Sequence, residues 1–267
     1  MEVKNRTWVE VDTGCIERNY KALCRKAGKS AVLGVVKADA YGHGAVPVAR
    51  CLQKAGVNAF AVACLAEGIR LRKAGIRGTI LILGYTPAGE VPLLRRWRLT
   101  QMVADEAHGQ ALAGAGGRVR VHLALDTGMR RLGVPAEDHN AIARLYRLRN
   151  LNIQGVFSHL CVSDSLEPEN TAYTQRQLEA FYNALDWMRS QGLDPGKVHI
   201  QASYGIWDLP PQPCAYGRAG IALYGVQSAP GPVRRDLDLR PVLSLRARVA
   251  SVFSAAFLHS TRTSSTM

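Results

Sequence analysis

Lys37 stands between an apolar, β-branched run at residues 32–36 and a turn that contains Tyr41 and two glycines. The run predicts a buried strand, and the apolar stretch at 45–55 predicts a helix after the turn. Proteins of the α/β class bind ligands at the carboxyl ends of such strands. Burial there lowers the pKa of a lysine, which favours the neutral amine that forms a Schiff base. The Tyr41 hydroxyl could donate to a phosphate, although a solvated strand end would carry the same residues.

Short β-like runs alternate with amphipathic stretches between residues 30 and 225, and Gly or Pro lies at most junctions. The strand candidates are residues 32–36, 59–63, 79–83, 100–103, 119–125, 153–158, 198–201 and, more weakly, 215–217. The helical stretches are 45–55, 65–74, 105–113, 140–147 and 173–191. Strands that alternate with helical crossovers in this way predict an α/β fold, a parallel (β/α)8 TIM-type barrel over residues 12–240. A doubly wound open sheet is the alternative.

Both ends of the chain fall outside this alternation. Residues 7–11 and 242–252 have strand-like patterns, so segments 1–11 and 241–252 are predicted to belong to an incomplete β-domain. A helix is expected at 15–25, between the first strand and the barrel. The Ser- and Thr-rich segment 253–267 predicts a disordered tail.

Composition narrows the functional classes. Of the 267 residues, 47% are hydrophobic and 21% charged, which is typical of a soluble globular protein. No apolar run approaches the ~20 residues that span a bilayer, and no signal peptide is evident. The six cysteines and seven histidines are scattered, so we expect reduced thiols, no metal site and a cytoplasmic location. The net charge of +13 would suit nucleic acid, but no recognition motif accompanies the short cluster at 95–98, and no nucleic-acid partner is predicted.

Two strings carry a resemblance to a known family. Residues 35–45 read V-V-K-A-D-A-Y-G-H-G-A, which resembles the pyridoxal-phosphate attachment motif of alanine racemases. Residues 126–133 read D-T-G-M-R-R-L-G and resemble the second signature of that family, D-T-G-M-x-R-L-G. Strings at 158–165 and 204–206 look most like the racemase part of the serine/alanine racemases linked to vancomycin resistance. The resemblance implies pyridoxal 5'-phosphate as cofactor, a homodimer, and interconversion of L- and D-alanine or serine for peptidoglycan precursors.

The resemblance assigns catalytic roles to four residues. Lys37 would hold the cofactor and act as base on one face of the substrate Cα. Arg131 would hold the phenolic oxygen side of the cofactor and help to place the substrate carboxylate, unless it is only a surface ion-pair partner. His159 would lie against the pyridine ring, although taken alone it would be an interior histidine. Arg218 would face the pyridine nitrogen and, being permanently charged, would keep that nitrogen unprotonated.

The same resemblance places the phosphate of the cofactor. Tyr41 and Ser203 would donate hydroxyl groups to it. The backbone N–H groups of Gly220 and Ile221 would cradle it, as a nest or a helix N-terminus does.

The sequence departs from the family in three places. Ala124 stands where many members have a lysine that braces the arginine corresponding to Arg131, and Ala202 replaces an asparagine before Ser203. Family members also continue into a β-domain that supplies a catalytic tyrosine across the dimer interface, whereas recognisable sequence stops near residue 252. We therefore expect a truncated racemase with weak or no turnover unless Tyr85, Tyr204 or His159 serves as second base. The alternative is a non-catalytic, single-domain barrel that carries pyridoxal phosphate.

Overall fold

The computed structural model describes residues 6–227 and 237–252, in which strands and helices alternate. The strands are β1 (Thr7–Val11), β2 (Ala31–Val35), β3 (Ala59–Val62), β4 (Thr79–Ile82), β5 (Thr100–Val103), β6 (Val119–Asp126), β7 (Val134–Pro135), β8 (Leu151–Phe157), β9 (Lys197–His199), β10 (Tyr216–Ala219) and β11 (Leu243–Ala247). The helical elements are α1 (Thr13–Ala27), α2 (Lys37–Tyr41), α3 (Ala45–Lys54), α4 (Leu65–Lys73), α5 (Val91–Arg96), α6 (Glu106–Gly114), α7 (His139–Tyr146), α8 (Pro168–Ser190) and α9 (Ser203–Asp208). Short 3₁₀ turns lie at Ala88–Glu90 and Ile221–Tyr224.

Eight strands form a parallel barrel in the order β10, β2, β3, β4, β5, β6, β8, β9. The last strand of the barrel lies beside the first, with Tyr216 of β10 opposite Ala31 of β2. Two backbone hydrogen bonds join β10 to the β9 side, from Ala215 N to Val198 O (2.8 Å) and from Arg218 N to Gln201 O (3.0 Å). The predicted (β/α)8 barrel is confirmed, and the open doubly wound sheet is excluded.

Side chains that alternate along the strands separate an outer core from an inner one. Outward side chains such as Phe60 and Ile80 are fully buried against the helices in the large apolar core. Inward side chains form two small apolar clusters, one around Leu33 and Leu81 and another around Phe157. The interior also contains buried polar side chains, so the barrel is packed but not uniformly apolar.

Aspartates fix the starts of three barrel helices. The Asp12 carboxylate accepts from Gly14 N at the start of α1, Asp105 accepts from His108 N in α6, and Asp138 accepts from Ala141 N in α7. Each carboxylate satisfies an N–H group that the helix itself leaves unpaired. The helices therefore begin at set residues after their strands, which fixes how they pack on the barrel.

The predicted strands agree with the observed ones to within two residues in the barrel, and the main helices differ mainly at their ends. Helices α5 and α9 were not predicted. Each has six residues, which is too few for a 3.6-residue period to appear, and α5 carries a proline while α9 carries a glycine. The turn after Lys37 is a left-handed helical turn, and no pattern of hydrophobic residues in the sequence predicts such a turn.

The two terminal segments meet outside the barrel. Strands β1 and β11 pair antiparallel, with Thr7 opposite Ala247 and Val11 opposite Leu243. The predicted strand at 242–252 is too long, because β1 offers only five residues to pair with. Their assignment to a separate β-domain stays a prediction, and the predicted tail at 253–267 lies outside the described residues. Within residues 6–227 and 237–252, no helix has the length and apolar character to cross a membrane.

Candidate active site

A cavity of about 580 Å³ opens at the carboxyl ends of the barrel strands. It brings together the eight residues to which the resemblance gives catalytic or cofactor-binding roles, which are scattered over more than half of the chain. They are Lys37, Tyr41, Arg131, His159, Ser203, Arg218, Gly220 and Ile221. Proteins with a (β/α)8 barrel have their ligand sites at this end of the barrel.

Lys37 begins a turn whose backbone has the opposite hand to a normal helix. The φ angles of Ala38, Asp39, Ala40 and Tyr41 are 51°, 50°, 57° and 53°. For residues other than glycine, this conformation costs roughly 1–2 kcal/mol each. Residues four apart lie on one face of such a turn, and both Lys37 and Tyr41 line the cavity. The Lys37 amine is 6.0 Å from the centre of the Tyr41 ring.

Two carboxylates hold this strained turn in place. Glu67 accepts from the backbone N–H of Ala38 through one oxygen (2.8 Å) and from that of Ala63 through the other (2.7 Å). Asp39 accepts from Ala45 N (2.9 Å) and forms an ion pair with Arg70 (2.9 Å). The turn is therefore tied to β3, α3 and α4 at once, which is how a strained backbone persists.

One corner of the cavity gathers hydrogen-bond donors. The Ser203 oxygen accepts from the N–H groups of Gly220 (3.0 Å) and Ala222 (3.3 Å), so its own proton is directed elsewhere. A Cβ atom at Gly220 would lie 2.8 Å from the Tyr41 hydroxyl oxygen. Glycine is needed here for close approach, and its absent side chain leaves room beside the two hydroxyls. Ile221 begins the next 3₁₀ turn, where the first N–H has no partner within the turn.

Arg218 is buried, with 4% of its surface exposed, and its guanidinium makes five hydrogen bonds. One terminal nitrogen donates to the carbonyl (3.2 Å) and Nδ1 (2.8 Å) of His199. The other donates to the carbonyls of Ser158 (2.7 Å) and Ile200 (3.1 Å) and to Nδ1 of His159 (3.1 Å). Burial lowers the pKa of Arg218 to about 10, so the group stays charged at neutral pH.

A chain of two histidines supports Arg218 from inside the barrel. Because Nδ1 of His199 accepts from Arg218, its proton sits on Nε2, which faces Nδ1 of His122 at 2.9 Å. Burial, followed by the charges of Lys197 and Arg218, lowers the pKa of His122 to about 3. Burial and then Arg218 also hold the pKa of His199 well below its usual value of 6.5. Both histidines are therefore neutral at physiological pH.

His159 is neutral for the same reasons. Burial lowers its pKa to about 3, with further contributions from Arg218, Arg131 and Lys37. Its Nδ1 accepts from Arg218, which leaves the proton on Nε2. The ring lines the cavity and presents an apolar, uncharged surface there.

Arg131 reaches the same cavity but is exposed and makes no hydrogen bond or ion pair with the part of the chain described here. Ala124, at the position where a bracing lysine was noted as missing, lines the cavity within the apolar cluster of Met102, Ala104 and Phe157. The Arg131 guanidinium therefore keeps its donors for a bound group.

Sequence reasoning missed several supporting residues. His199 was not singled out, although two-residue alternation in β9 places it on the inward face with Lys197. Gln177 was also missed: its amide donates to Thr127 and to the His159 carbonyl, and accepts from Cys161 N. Glu67 gave no signal, because a glutamate in a helix is ordinary in a sequence.

Comparison with known proteins accords with this geometry. The family described as alanine racemase, N-terminal domain, matches residues 11–228. The chain belongs to this family.

Curated relatives carry related names. An amino-acid racemase of Enterococcus faecalis is 39% identical over 250 residues, which cover 93% of this chain and 35% of that protein. A serine/alanine racemase of Enterococcus gallinarum is 43% identical over 223 residues, which cover 83% of this chain and 32% of that protein. An alanine racemase of Geobacter sp. is 39% identical over 254 residues, which cover 91% of this chain and 66% of that protein. The chain thus spans about a third of the length of the Enterococcus relatives that it matches.

Solved structures agree on the fold. Alanine racemase of Clostridium difficile in complex with cycloserine has a TM-score of 0.87 at 31% identity, covering 95% of this chain and 71% of that one. Alanine racemase of Bacillus anthracis with bound L-Ala-P has a TM-score of 0.83 at 29% identity, and the match covers 92% of this chain and 64% of that one. The expected family resemblance, including the likeness to serine/alanine racemases, is confirmed.

We expect Glu67→Gln to lower the free energy of unfolding by about 1–2 kcal/mol, because the amide keeps one acceptor oxygen where the carboxylate has two. Urea unfolding followed by circular dichroism measures this change. Glu179→Gln, on the exposed face of α8, is the matched control and should change stability by less than about 0.5 kcal/mol. Equal effects in both variants would show that Glu67 does not hold the turn.

Stability should fall as the pH is lowered from about 6.5. The unfolded chain takes up protons on its histidines near 6.5, whereas folded His122 resists protonation to about 3. The unfolded state then binds more protons, so each such histidine lowers the free energy of unfolding by about 2 kcal/mol between about pH 7 and pH 5. Urea unfolding at the two pH values, compared with His122→Asn, isolates one histidine's share. An unchanged pH dependence in the variant would contradict the assignment.

Proposed function

We propose that this chain is the cofactor-binding part of a pyridoxal-phosphate-dependent amino-acid racemase that interconverts L- and D-alanine or serine. The observation that carries the proposal is the convergence of Lys37, Tyr41, Ser203 and Arg218 on one cavity, in the order along the chain that the family motifs predict. The names of the relatives support the substrate class, since they include alanine and serine/alanine racemases.

The donor corner fits the phosphate of the cofactor. Phosphate oxygens accept hydrogen bonds and favour backbone N–H groups together with hydroxyls. Tyr41 and Ser203 supply the hydroxyls, and the turn at Ile221 supplies an N–H group. The space that a side chain at Gly220 would fill keeps this corner open. We assign the phosphate to donors on Tyr41, Ser203 and Ile221. The Gly220 N–H, which was expected to take part, instead donates to the Ser203 hydroxyl oxygen (3.0 Å), so Gly220 contributes space and not a donor.

Arg218 fits the pyridine nitrogen. Its two terminal nitrogens are already bound by protein acceptors, and no acceptor among the described residues takes its Nε–H. That N–H is the donor that we assign to the ring nitrogen. When bound, pyridoxal phosphate supplies an electron-withdrawing ring that stabilises negative charge at the substrate Cα. Because Arg218 keeps its proton, the ring nitrogen accepts a hydrogen bond and gains no charge, which favours simple proton removal and return.

Lys37 is the residue that we assign to attach the cofactor and to move a proton on one face of Cα. A proton on the other face needs a second group. His159 is a poor base, because its pKa is about 3. Tyr85 is 58% exposed and does not line the cavity, whereas Tyr204 is buried and does. Among these three, Tyr204 is the candidate within this chain.

The exposed Arg131 guanidinium is suited to the substrate carboxylate, which it can bind through two parallel hydrogen bonds. Its lack of a partner within the described residues supports this role. We place the reaction in the cytoplasm, in a homodimer that supplies D-amino acids for peptidoglycan precursors, and the family resemblance supports these assignments.

Lys37→Ala should abolish attachment of the cofactor. Protein mixed with pyridoxal phosphate and reduced with borohydride should carry a stable adduct on Lys37, located by peptide mass spectrometry. The adduct should persist in Lys54→Ala, a matched exposed lysine on α3. Tyr41→Phe should weaken cofactor binding by about 1–2 kcal/mol, since one charge-assisted hydrogen bond is lost. An adduct on another lysine would contradict the assignment.

Racemisation is tested with L-alanine or L-serine in D₂O. The chain with cofactor should exchange the Cα proton, seen as loss of its NMR signal, and chiral analysis should detect the D-enantiomer. Lys37→Ala should slow exchange by at least ~10²–10⁴. Exchange without any D-enantiomer would contradict racemisation by this chain. Neither reaction in a chain that binds the cofactor would favour the non-catalytic carrier.

A further inference from the structure

An arginine cluster lies at the opposite end of the barrel from the candidate active site. Arg95, Arg98, Arg118 and Arg120 line a pocket of about 220 Å³ where strands β5 and β6 begin. Leu94, Leu99 and Val119 give this arginine pocket an apolar wall. The cavity at the carboxyl ends of the strands shares no lining residue with it.

The arginine pocket carries positive charge that no carboxylate in the described part of the chain neutralises through an ion pair. Within residues 6–227 and 237–252, none of its four arginines is in an ion pair. The neighbouring Arg72 is half-buried, and its pKa is lowered by burial and then by the charges of Arg120 and Arg98. Like charges without a counter-charge repel one another, so a bound anion would remove an electrostatic cost.

Hydrogen bonds hold the backbone beside the pocket. Arg72 donates to four backbone carbonyls, those of Ile76 (2.9 Å), Gly78 (2.8 Å), Trp97 (3.0 Å) and Arg98 (3.0 Å). Arg98 follows α5 with φ of 50°, its N–H donates to the Arg95 carbonyl (3.1 Å), and Leu99 N donates to the Leu94 carbonyl (2.9 Å). This is a common left-handed end of a helix, and it turns the chain from α5 into β5 beside the pocket.

A glycine completes the wall of the pocket. Gly117 has φ of 77°, and a Cβ atom there would lie 2.3 Å from a terminal nitrogen of Arg95. The Arg95 guanidinium therefore packs directly on the backbone at Gly117. Arg95, like Arg98, Arg118 and Arg120, is exposed, so all four guanidinium groups are accessible to a dissolved anion.

We propose that the arginine pocket binds a small oligophosphate anion. Guanidinium groups match phosphate oxygens with two parallel hydrogen bonds each, and several linked phosphates supply enough charge for several arginines. The nearby Trp97 ring already contacts Lys73 (5.9 Å) and Arg96 (5.7 Å), so it is not a free platform for stacking a base. This contact and the small volume of the pocket favour a free oligophosphate over RNA.

Inorganic tripolyphosphate is the probe, in isothermal titration calorimetry at one fixed ionic strength. The parent chain should bind one equivalent. Arg98→Gln/Arg120→Gln should weaken binding about tenfold or more. The matched control Arg25→Gln/Lys54→Gln removes the same charge from exposed positions on α1 and α3 and should change affinity less than about twofold. Binding should persist in Tyr41→Phe, which removes a hydroxyl from the proposed phosphate corner of the cofactor cavity and so separates that corner from the arginine pocket.

Several results would overturn the proposal: no one-site binding by the parent, equal weakening in both double variants, or loss of binding in Tyr41→Phe. Tighter binding of a short single-stranded RNA, lost in the same pocket variant, would replace the small anion with RNA. Circular dichroism checks that the variants fold, and both substituted arginines are exposed. If the double variant is unfolded, the single variant Arg120→Gln takes its place with the same expected direction.

Discussion

A buried guanidinium at the seam of the barrel supports the rest of the structure. Arg218 lies on β10 and donates to the carbonyls of Ser158, His199 and Ile200, which follow or belong to β8 and β9. At this seam β9 and β10 share few backbone hydrogen bonds. A charge in the interior is tolerable only when its donors are satisfied, and here the acceptors come from the strands that must be held together. The hydrogen bonds of Arg218 thus close the barrel and also position the residues that line the cavity.

The interior histidines are a consequence of that charge. A buried cation cannot face another cation, so its histidine partners must remain neutral and accept hydrogen bonds from it. This condition fixes the tautomer of His199, which in turn fixes the way in which it meets His122. The resulting polar column fills the barrel where other barrels use aliphatic side chains. Replacement of any one member would leave the next without its partner.

The sequence predicted the barrel, and it singled out residues that the fold brings to one cavity, for identifiable reasons. Alternation of strands with helices indicated the fold, and strings of fixed spacing around Lys37 and Arg131 indicated the residues. Glu67 and Gln177 could not be foreseen, because they act through backbone atoms that become neighbours only after folding. The left-handed turn was invisible for a different reason. Ala, Asp and Tyr do not ordinarily adopt that conformation, and contacts from three other elements impose it.

That turn has a consequence for stereochemistry. Reflection converts a left-handed turn of L-residues into a right-handed turn of D-residues, so residues 38–41 lie where D-enantiomers would fit without steric cost. A member of the alanine racemase family thus contains four consecutive positions with mirror-image backbone geometry. Because ribosomal synthesis supplies only L-residues, contacts from the surrounding carboxylates and backbone must offset the steric cost of this turn. Chemical synthesis of the chain with D-alanine at positions 38 and 40 would measure this steric cost as a change in the free energy of unfolding.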